Sequence, residues 1–155
     1  MKKIALLFLT FLTLWGCGDE LEFNTPGFQA NKNYGLWRAT YYNANINADG
    51  TLTIVAGNNS EKMTFRLAEI SFDTIDLTTT SFSKAEFTDF ENVEYSTSNP
   101  PDPSVSLYPE IGNIIFKPSP EGTVSGEFRY IAFTPDGLKS VGFNKGWFSK
   151  IPIVN

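Results

Sequence analysis

The sequence LTIVAGNNSEKMTFRL, residues 52–67, decides the fold class of this chain. Apolar and mostly polar residues alternate on both sides of the turn-forming segment Gly57-Asn58-Asn59-Ser60. A period of two gives each flanking run one apolar face, and Gly and Asn are the residues that tight turns prefer. The stretch therefore predicts an antiparallel hairpin, half buried on a core by Leu52, Ile54, Ala56, Met63, Phe65 and Leu67.

The same alternation extends outward along the chain. We expect one strand from about residue 34 to 42 and one or two between 82 and 97. Further strands are predicted at 111–117 (central in the sheet), 123–133, 138–144 and 147–153, with a bulge at Lys145-Gly146. Residues 98–109 are proline-rich and predict a loop. No stretch keeps helical spacing over 11 residues. The fold class is therefore all-β, a single antiparallel β-sandwich or barrel of about 8–10 strands over residues 34–155.

The N-terminus has the organisation of a lipoprotein leader. Met1-Lys2-Lys3 is basic, residues 4–15 are apolar, and Gly16-Cys17 follows. The apolar run is too short to span a bilayer, which takes about 20 residues. We predict a signal peptide at residues 1–16, acylation of Cys17 and a flexible tether over residues 17–33.

Composition excludes several functions. The 155-residue chain has a net charge of −5, no His and one Cys. Ser-His and Cys-His nucleophiles are therefore absent, and a zinc site is disfavoured. An acidic chain is also a poor partner for nucleic acid. We expect no catalytic residue, no cofactor and no metal, with membrane attachment through the acyl chains on Cys17.

The C-terminal third carries three strand-and-turn patterns: residues 112–116 (GNIIF), 124–130 (VSGEFRY) and 141–148 (VGFNKGWF). They resemble an uncharacterised β-rich lipoprotein family of Bacteroidota, a domain of unknown function. Trp37-Arg38-Ala39 and residues 52–56 resemble its first two strands. The resemblance covers roughly residues 31–153 and implies a fold but no activity. Gly35-Leu36-Trp37 is also similar to the start of lipocalins, which gives a second candidate fold.

Two further resemblances concern export. The acidic residues of Gly18-Asp19-Glu20-Leu21-Glu22 are similar to the surface-export signal of Bacteroidota lipoproteins. Asp73-Thr74-Ile75 resembles their O-glycosylation acceptor, which makes Thr74 a candidate site. These resemblances imply a lipid-anchored protein of the outer membrane, exposed at the cell surface.

Three groups of side chains are candidate sites. Residues 45–50 (NINADG) are similar to the start of a calcium loop, but a polar hairpin turn explains them better because the closing Glu is absent. Paired carboxylates could hydrolyse glycosides, although an acidic strand edge is the favoured interpretation of Glu86, Asp89, Glu91 and Glu94. Tyr42, on the polar phase of its strand, and Tyr108, in the proline-rich loop, are candidate ligand contacts.

The functional hypothesis is a non-catalytic module that binds a glycan, a small molecule or a protein at the cell surface. Two alternatives stay open. One is a structural or accessory subunit of a cell-envelope assembly, which would offer an unpaired sheet edge to a partner strand. The other is a carboxylate-based glycoside hydrolase, which would need two close carboxyl groups in a cleft.

Overall fold

A computed structural model describes residues 27–105 and 112–154. These residues contain eleven strands and no α-helix. The strands are β1 Gly27–Lys32, β2 Gly35–Arg38, β3 Tyr41–Ile46, β4 Leu52–Gly57, β5 Lys62–Leu67, β6 Ile75–Asp76, β7 Lys84–Thr88, β8 Glu94–Ser96, β9 Gly112–Lys117, β10 Thr123–Phe133 and β11 Ser140–Pro152. The predicted all-β class is confirmed. Over this part of the chain, no helix has the length and apolar character to cross a membrane.

The strands form one antiparallel sheet that curls into a half-barrel. Its main order is β2-β1-β11-β10-β8-β7-β5-β4-β3, while β9 pairs with β10 and β6 pairs with β9. A parallel bridge joins Ala44 of β3 to Ile153, just after β11. The backbone N–H of Val154 donates to the carbonyl of Ala44 at 2.8 Å. The end of the longest strand is thereby fastened to β3 at the far end of the sheet order.

The hairpin predicted at residues 52–67 is present as β4 and β5, paired from Leu52–Leu67 to Gly57–Lys62. Asn58 closes it: its Oδ1 accepts the backbone N–H groups of Ser60 at 3.0 Å and Glu61 at 2.9 Å. This is the Asx turn that favours Asn at such positions. The predicted apolar face is buried.

Aromatic rings fill the concave side of the sheet. Phe28 stacks on Phe148 with ring centroids 5.8 Å apart and lies 5.3 Å from Phe128. Phe65 meets Phe128 edge-on at 5.0 Å. Such pairs stabilise beyond the area they bury, by about 0.5–1.5 kcal/mol each. The alternation of the strand patterns predicts five further phenylalanines for the core, and all five are buried: Phe87, Phe116, Phe128, Phe143 and Phe148.

Two of these rings need glycine on the neighbouring strand. Phe148 faces Gly126 and Phe128 faces Gly146 in the β10–β11 register. A Cβ at Gly126 would lie 2.6 Å from the Phe148 ring, and one at Gly146 would lie 2.5 Å from the Phe128 ring. The two glycines therefore provide the space in which the two rings pack.

The first strand lies inside the segment predicted to be a tether. Residues 27–32 form β1, which pairs with both β11 and β2. Phe28 and Ala30 are buried and supply an apolar face, although Asn, Gln and Gly dominate the composition around them. The tether prediction is therefore wrong from Gly27 onward, while residues 1–26, including Cys17, lie outside the described residues.

Other differences follow from strand breaks. The strand predicted over residues 34–42 is divided at Ala39-Thr40 into β2 and β3, which contributes to the count of eleven strands. The predicted central strand, β9, has β10 on one side and only the two-residue β6 on the other. Near the predicted bulge, the β10–β11 register shifts between Phe128 and Tyr130, and Lys145 has a φ of 47°.

Candidate functional site

The outer face of β9, β10 and β11 holds an open groove of about 1080 Å³. Its floor is a row of paired residues, in which Ile115 lies opposite Glu127 and Glu127 lies opposite Trp147. Their neighbours along each strand are buried in the core, so alternation directs this row outward. Ile115 and Trp147 are half-buried and form the apolar part of the floor.

The next row of the groove is basic. Arg129 of β10 lies between Asn113 of β9 and the bulge of β11 that contains Lys145. The Asn113 amide, with its oxygen towards Arg129, accepts hydrogen bonds from Nε at 3.2 Å and from Nη2 at 3.3 Å. Within the described residues, neither Arg129 nor Lys145 makes an ion pair. The row thus presents two positive charges that form no ion pair, and the nearest groove carboxylate, Glu127, lies one outward position away on β10.

Ser125 and Ser149 bring hydroxyl groups to the opposite end of the groove. Ser125 Oγ lies 2.9 Å from Ser119 Oγ, which in turn lies 2.6 Å from Thr123 Oγ1, and these two partners are outside the lining. Ser125 Oγ also accepts the backbone N–H of Lys150 at 2.8 Å. One exposed ion pair, Lys117–Glu127 at 3.7 Å, crosses the groove, and such pairs are easily exchanged for other partners. The groove therefore combines two apolar floor residues, one carboxylate paired with Lys117, hydrogen-bonding groups and two cations without an ion pair.

A second pocket of about 350 Å³ adjoins this groove and shares Arg129 with it. The β1–β2 turn forms the rim of this pocket, and Asn33 attaches the turn to β11. Asn33 Oδ1 accepts a hydrogen bond from the Gly142 N–H at 2.9 Å, and the Asn33 N–H donates to the Gly142 carbonyl. Tyr34 follows with a φ of 72° and 98% of its surface exposed. Residues other than glycine rarely adopt this backbone conformation, and those that do are often found at functional positions.

Tyr42, one of the two residues predicted to contact ligand, does not line this groove. Tyr42 of β3 is half-buried and packs against the core, opposite buried Ala56. Its predicted place on the polar face is wrong because the break at Ala39-Thr40 shifts the alternation by one residue. Tyr41 is the exposed ring instead. Tyr108 and the acylation site Cys17 lie outside the described residues, and Thr74 is exposed at the margin of the groove.

Two of the four candidate carboxylates, Glu86 and Asp89, are engaged in structural interactions. Glu86 pairs with Arg66 and with Lys84, each at 3.1 Å. Burial raises the pKa of Glu86, but the hydrogen bonds and charges of Arg66 and Lys84 together outweigh it, so the pKa is lowered. A glycosidase acid needs a raised pKa. The environment of Glu86 therefore does not favour that role.

Asp89 organises the β7–β8 turn. Its Oδ1 accepts the N–H groups of Glu91 and Val93, each at 2.9 Å, and Oδ2 accepts the Tyr95 hydroxyl at 3.2 Å. Burial, together with the charge and hydrogen bond of Asp89, raises the pKa of Tyr95. Asp89 is thus a turn residue that is already hydrogen-bonded to its own loop.

The hairpin turn predicted within residues 45–50 is present between β3 and β4 at residues 47–51, while Asn45 and Ile46 are the last residues of β3. Asn47 Nδ2 donates to the hydroxyls of Thr51 at 2.8 Å and Thr53 at 3.0 Å. Asp49 Oδ1 accepts the Thr51 N–H at 3.0 Å, and hydrogen bonds from Thr51 lower the pKa of Asp49. Across residues 27–105 and 112–154, no three His, Cys, Asp or Glu side chains are grouped to hold a metal ion.

Fold and groove together define a small all-β domain with an open site of mixed polar, apolar and basic character. Residues 24–152, most of the chain, match the domain of unknown function DUF6252. The chain belongs to this family. Searches found no match among curated proteins and none among solved structures.

Proposed function

We propose that this chain is a non-catalytic binding protein, anchored by lipid to the outer membrane and exposed at the cell surface. The leader-like residues 1–16, Cys17 and the acidic residues that follow support the anchor and the compartment. The resemblance to Bacteroidota lipoproteins supports the same compartment. The groove on β9, β10 and β11 is the proposed binding site.

The observation that carries the binding role is the composition of this groove. A half-buried Trp147 and Ile115 lie between hydroxyl groups on one side and Arg129 with Lys145 on the other. Pockets that recognise ligands combine an apolar surface with a few polar groups that fix orientation. Tryptophan and arginine are also the residues that contribute most at binding surfaces.

The test is a pull-down from intact cells with the full-length protein in its membrane-bound form. We expect the wild-type protein to recover a ligand or partner. The amount that Trp147→Ala recovers should be about tenfold lower, because the largest apolar side chain of the groove is removed. Phe90→Ala is the matched control, since Phe90 is an aromatic residue in the β7–β8 turn with 68% of its surface exposed. Equal recovery by wild type and Trp147→Ala would reject this groove as the site.

An accessory role in an envelope assembly is the second candidate, and the edge of the sheet supports it. Within the described residues, β2 has a strand partner on one side only, and its Leu36 is 62% exposed. An exposed edge can accept a strand from another protein. Leu36→Lys would then remove the recovered partner, whereas it would leave binding in the groove unchanged.

A further inference from the structure

The strongest unexplained feature of the groove is the pair of cations at its bulge. Arg129 on β10 faces the β11 segment of Asn144 and Lys145, where the register shifts. Like charges on facing positions of two strands are destabilising. The hydrogen bonds from Arg129 to Asn113 hold the guanidinium in place but leave its charge uncompensated.

The bulge itself determines where the second cation lies. Lys145 has a φ of 47°, in a region that residues other than glycine seldom adopt. Bulges re-aim side chains and are frequent next to binding sites. Lys145 is exposed and lines the groove. The local backbone therefore places a positive charge beside Arg129, although the chain as a whole has a net charge of −5.

An apolar surface lies one row away along the strands. Trp147 is two residues from Lys145, and Glu127, whose carboxylate pairs with Lys117 at 3.7 Å, is two residues from Arg129 on the same face. Two residues of an extended strand span about 7 Å. A ligand of a few ring-sized units can therefore lie on Trp147 while an acidic group reaches both cations. Ser125 and Ser149 line the far side of the groove.

We infer that the groove binds an acidic oligosaccharide, whose rings carry carboxylate or sulfate groups. This inference rests on the proposed function and names the ligand class of the same site. Arg129 and Lys145 bind the acidic group through charge-assisted hydrogen bonds, Trp147 packs against the apolar face of a sugar ring, and the serine hydroxyls bond to ring hydroxyls. Nucleic acid fits less well, because its affinity depends on neutralising many phosphates and this groove offers two free cations.

The experiment measures binding of the full chain, purified in detergent, to three probes: polygalacturonate, dextran sulfate and neutral dextran. We expect binding to an acidic probe that falls about tenfold in Arg129→Gln and again in Lys145→Gln, since each removes a charge-assisted hydrogen bond. Trp147→Ala should reduce binding to the same probe. Binding should also weaken as salt rises, because the cations are exposed.

Lys139→Gln is the matched control: Lys139 is exposed in the β10–β11 turn and does not line the groove. It loses the same charge and should bind like wild type. An equal loss in Lys139→Gln would mean non-specific attraction to a polyanion and would overturn the inference. Thermal unfolding of each variant confirms that these surface changes leave the fold intact.

The remaining outcomes separate this inference from the proposed function. Trp147-dependent binding of neutral dextran that is unaffected by Arg129→Gln would overturn the acidic class and keep the binding role. If no polysaccharide binds while the pull-down still recovers a Trp147-dependent partner, the carbohydrate class is wrong and the groove is still a binding site. If both experiments show no dependence on Trp147, both proposals fail.

Discussion

The packing of Phe128 and Phe148 depends on two glycines on neighbouring strands. We predict that Gly146→Ala lowers the free energy of unfolding by about 1–3 kcal/mol, because the new methyl group lies 2.5 Å from the Phe128 ring and forces it to move. Chemical denaturation measures the change. Gly142→Ala is the control on the same strand, since its Cβ would meet only ordinary contacts at 3.7 Å and 3.9 Å. Equal effects of the two variants would contradict the packing role of Gly146.

Glu86 gives a pH dependence whose sign can be worked out. Its pKa is lowered in the folded state because Arg66 and Lys84 outweigh the effect of burial, so the folded protein favours the ionised form. The stabilisation is present above the ordinary pKa of about 4.5 and is lost as pH falls through the lowered value. We predict that stability decreases less between pH 6 and pH 3 in Glu86→Gln than in wild type.

The measurement is denaturant unfolding at a series of pH values. Glu121→Gln is the matched control, because Glu121 is exposed and makes no ion pair among the described residues. Its pH profile should follow that of wild type. A Glu86→Gln profile parallel to wild type would show that the contacts with Arg66 and Lys84 do not couple folding to proton binding.

At the level of strands, β1 shows where sequence patterns mislead. Phe28 and Ala30 have the spacing of a strand face, but the Gly, Gln and Asn residues around them have the composition of a linker. The hairpin at residues 52–67 was predictable because both its strands and its turn chemistry agree. Residues 27–32 form a strand because they pair with residues 143–149, more than a hundred positions away. A single sequence does not show such long-range pairing.

The strand status of residues 27–32 can be tested through Phe28. We predict that Phe28→Ala costs about 3–5 kcal/mol of stability, because this ring contacts Phe148, Phe128, Phe65 and Trp37 in the core. Gln29→Ala, on the opposite face of the same strand, should cost less than about 1 kcal/mol. Denaturant unfolding measures the stability of both variants. An unchanged free energy of unfolding in Phe28→Ala would indicate that residues 27–32 belong to the tether and not to the folded sheet.

The groove was only partly accessible from sequence. Placing Phe148 in the core requires Trp147 to lie on the opposite face, so this aromatic residue could have been found from alternation alone. The position of Arg129 opposite the bulge at Lys145 could not be predicted in this way, because it depends on the β10–β11 register. The predicted polar-face position of Tyr42 was wrong for a related reason, since a single break between β2 and β3 inverts the phase of the following strand.

For the whole molecule, attachment to a membrane is the remaining prediction, and it rests on one residue. If Cys17 is acylated, two or more chains hold the protein firmly, at about 0.8 kcal/mol per buried methylene. We predict that Cys17→Ala abolishes incorporation of a labelled fatty acid. The leader-cleaved fraction of this variant should move from the membrane pellet to the soluble fraction, because the acidic chain has no other expected affinity for anionic lipid.

Ser104→Ala serves as the control for the anchor, because it changes a loop residue and leaves the N-terminus unaltered; it should stay in the pellet. The groove variants Trp147→Ala and Arg129→Gln should also remain membrane-bound, since the anchor and the groove are separate parts of the chain. Membrane retention of cleaved Cys17→Ala would place attachment elsewhere in the molecule. In that case the surface compartment would lose its support from the leader, while the charge and aromatic composition of the groove would still support the proposed binding role.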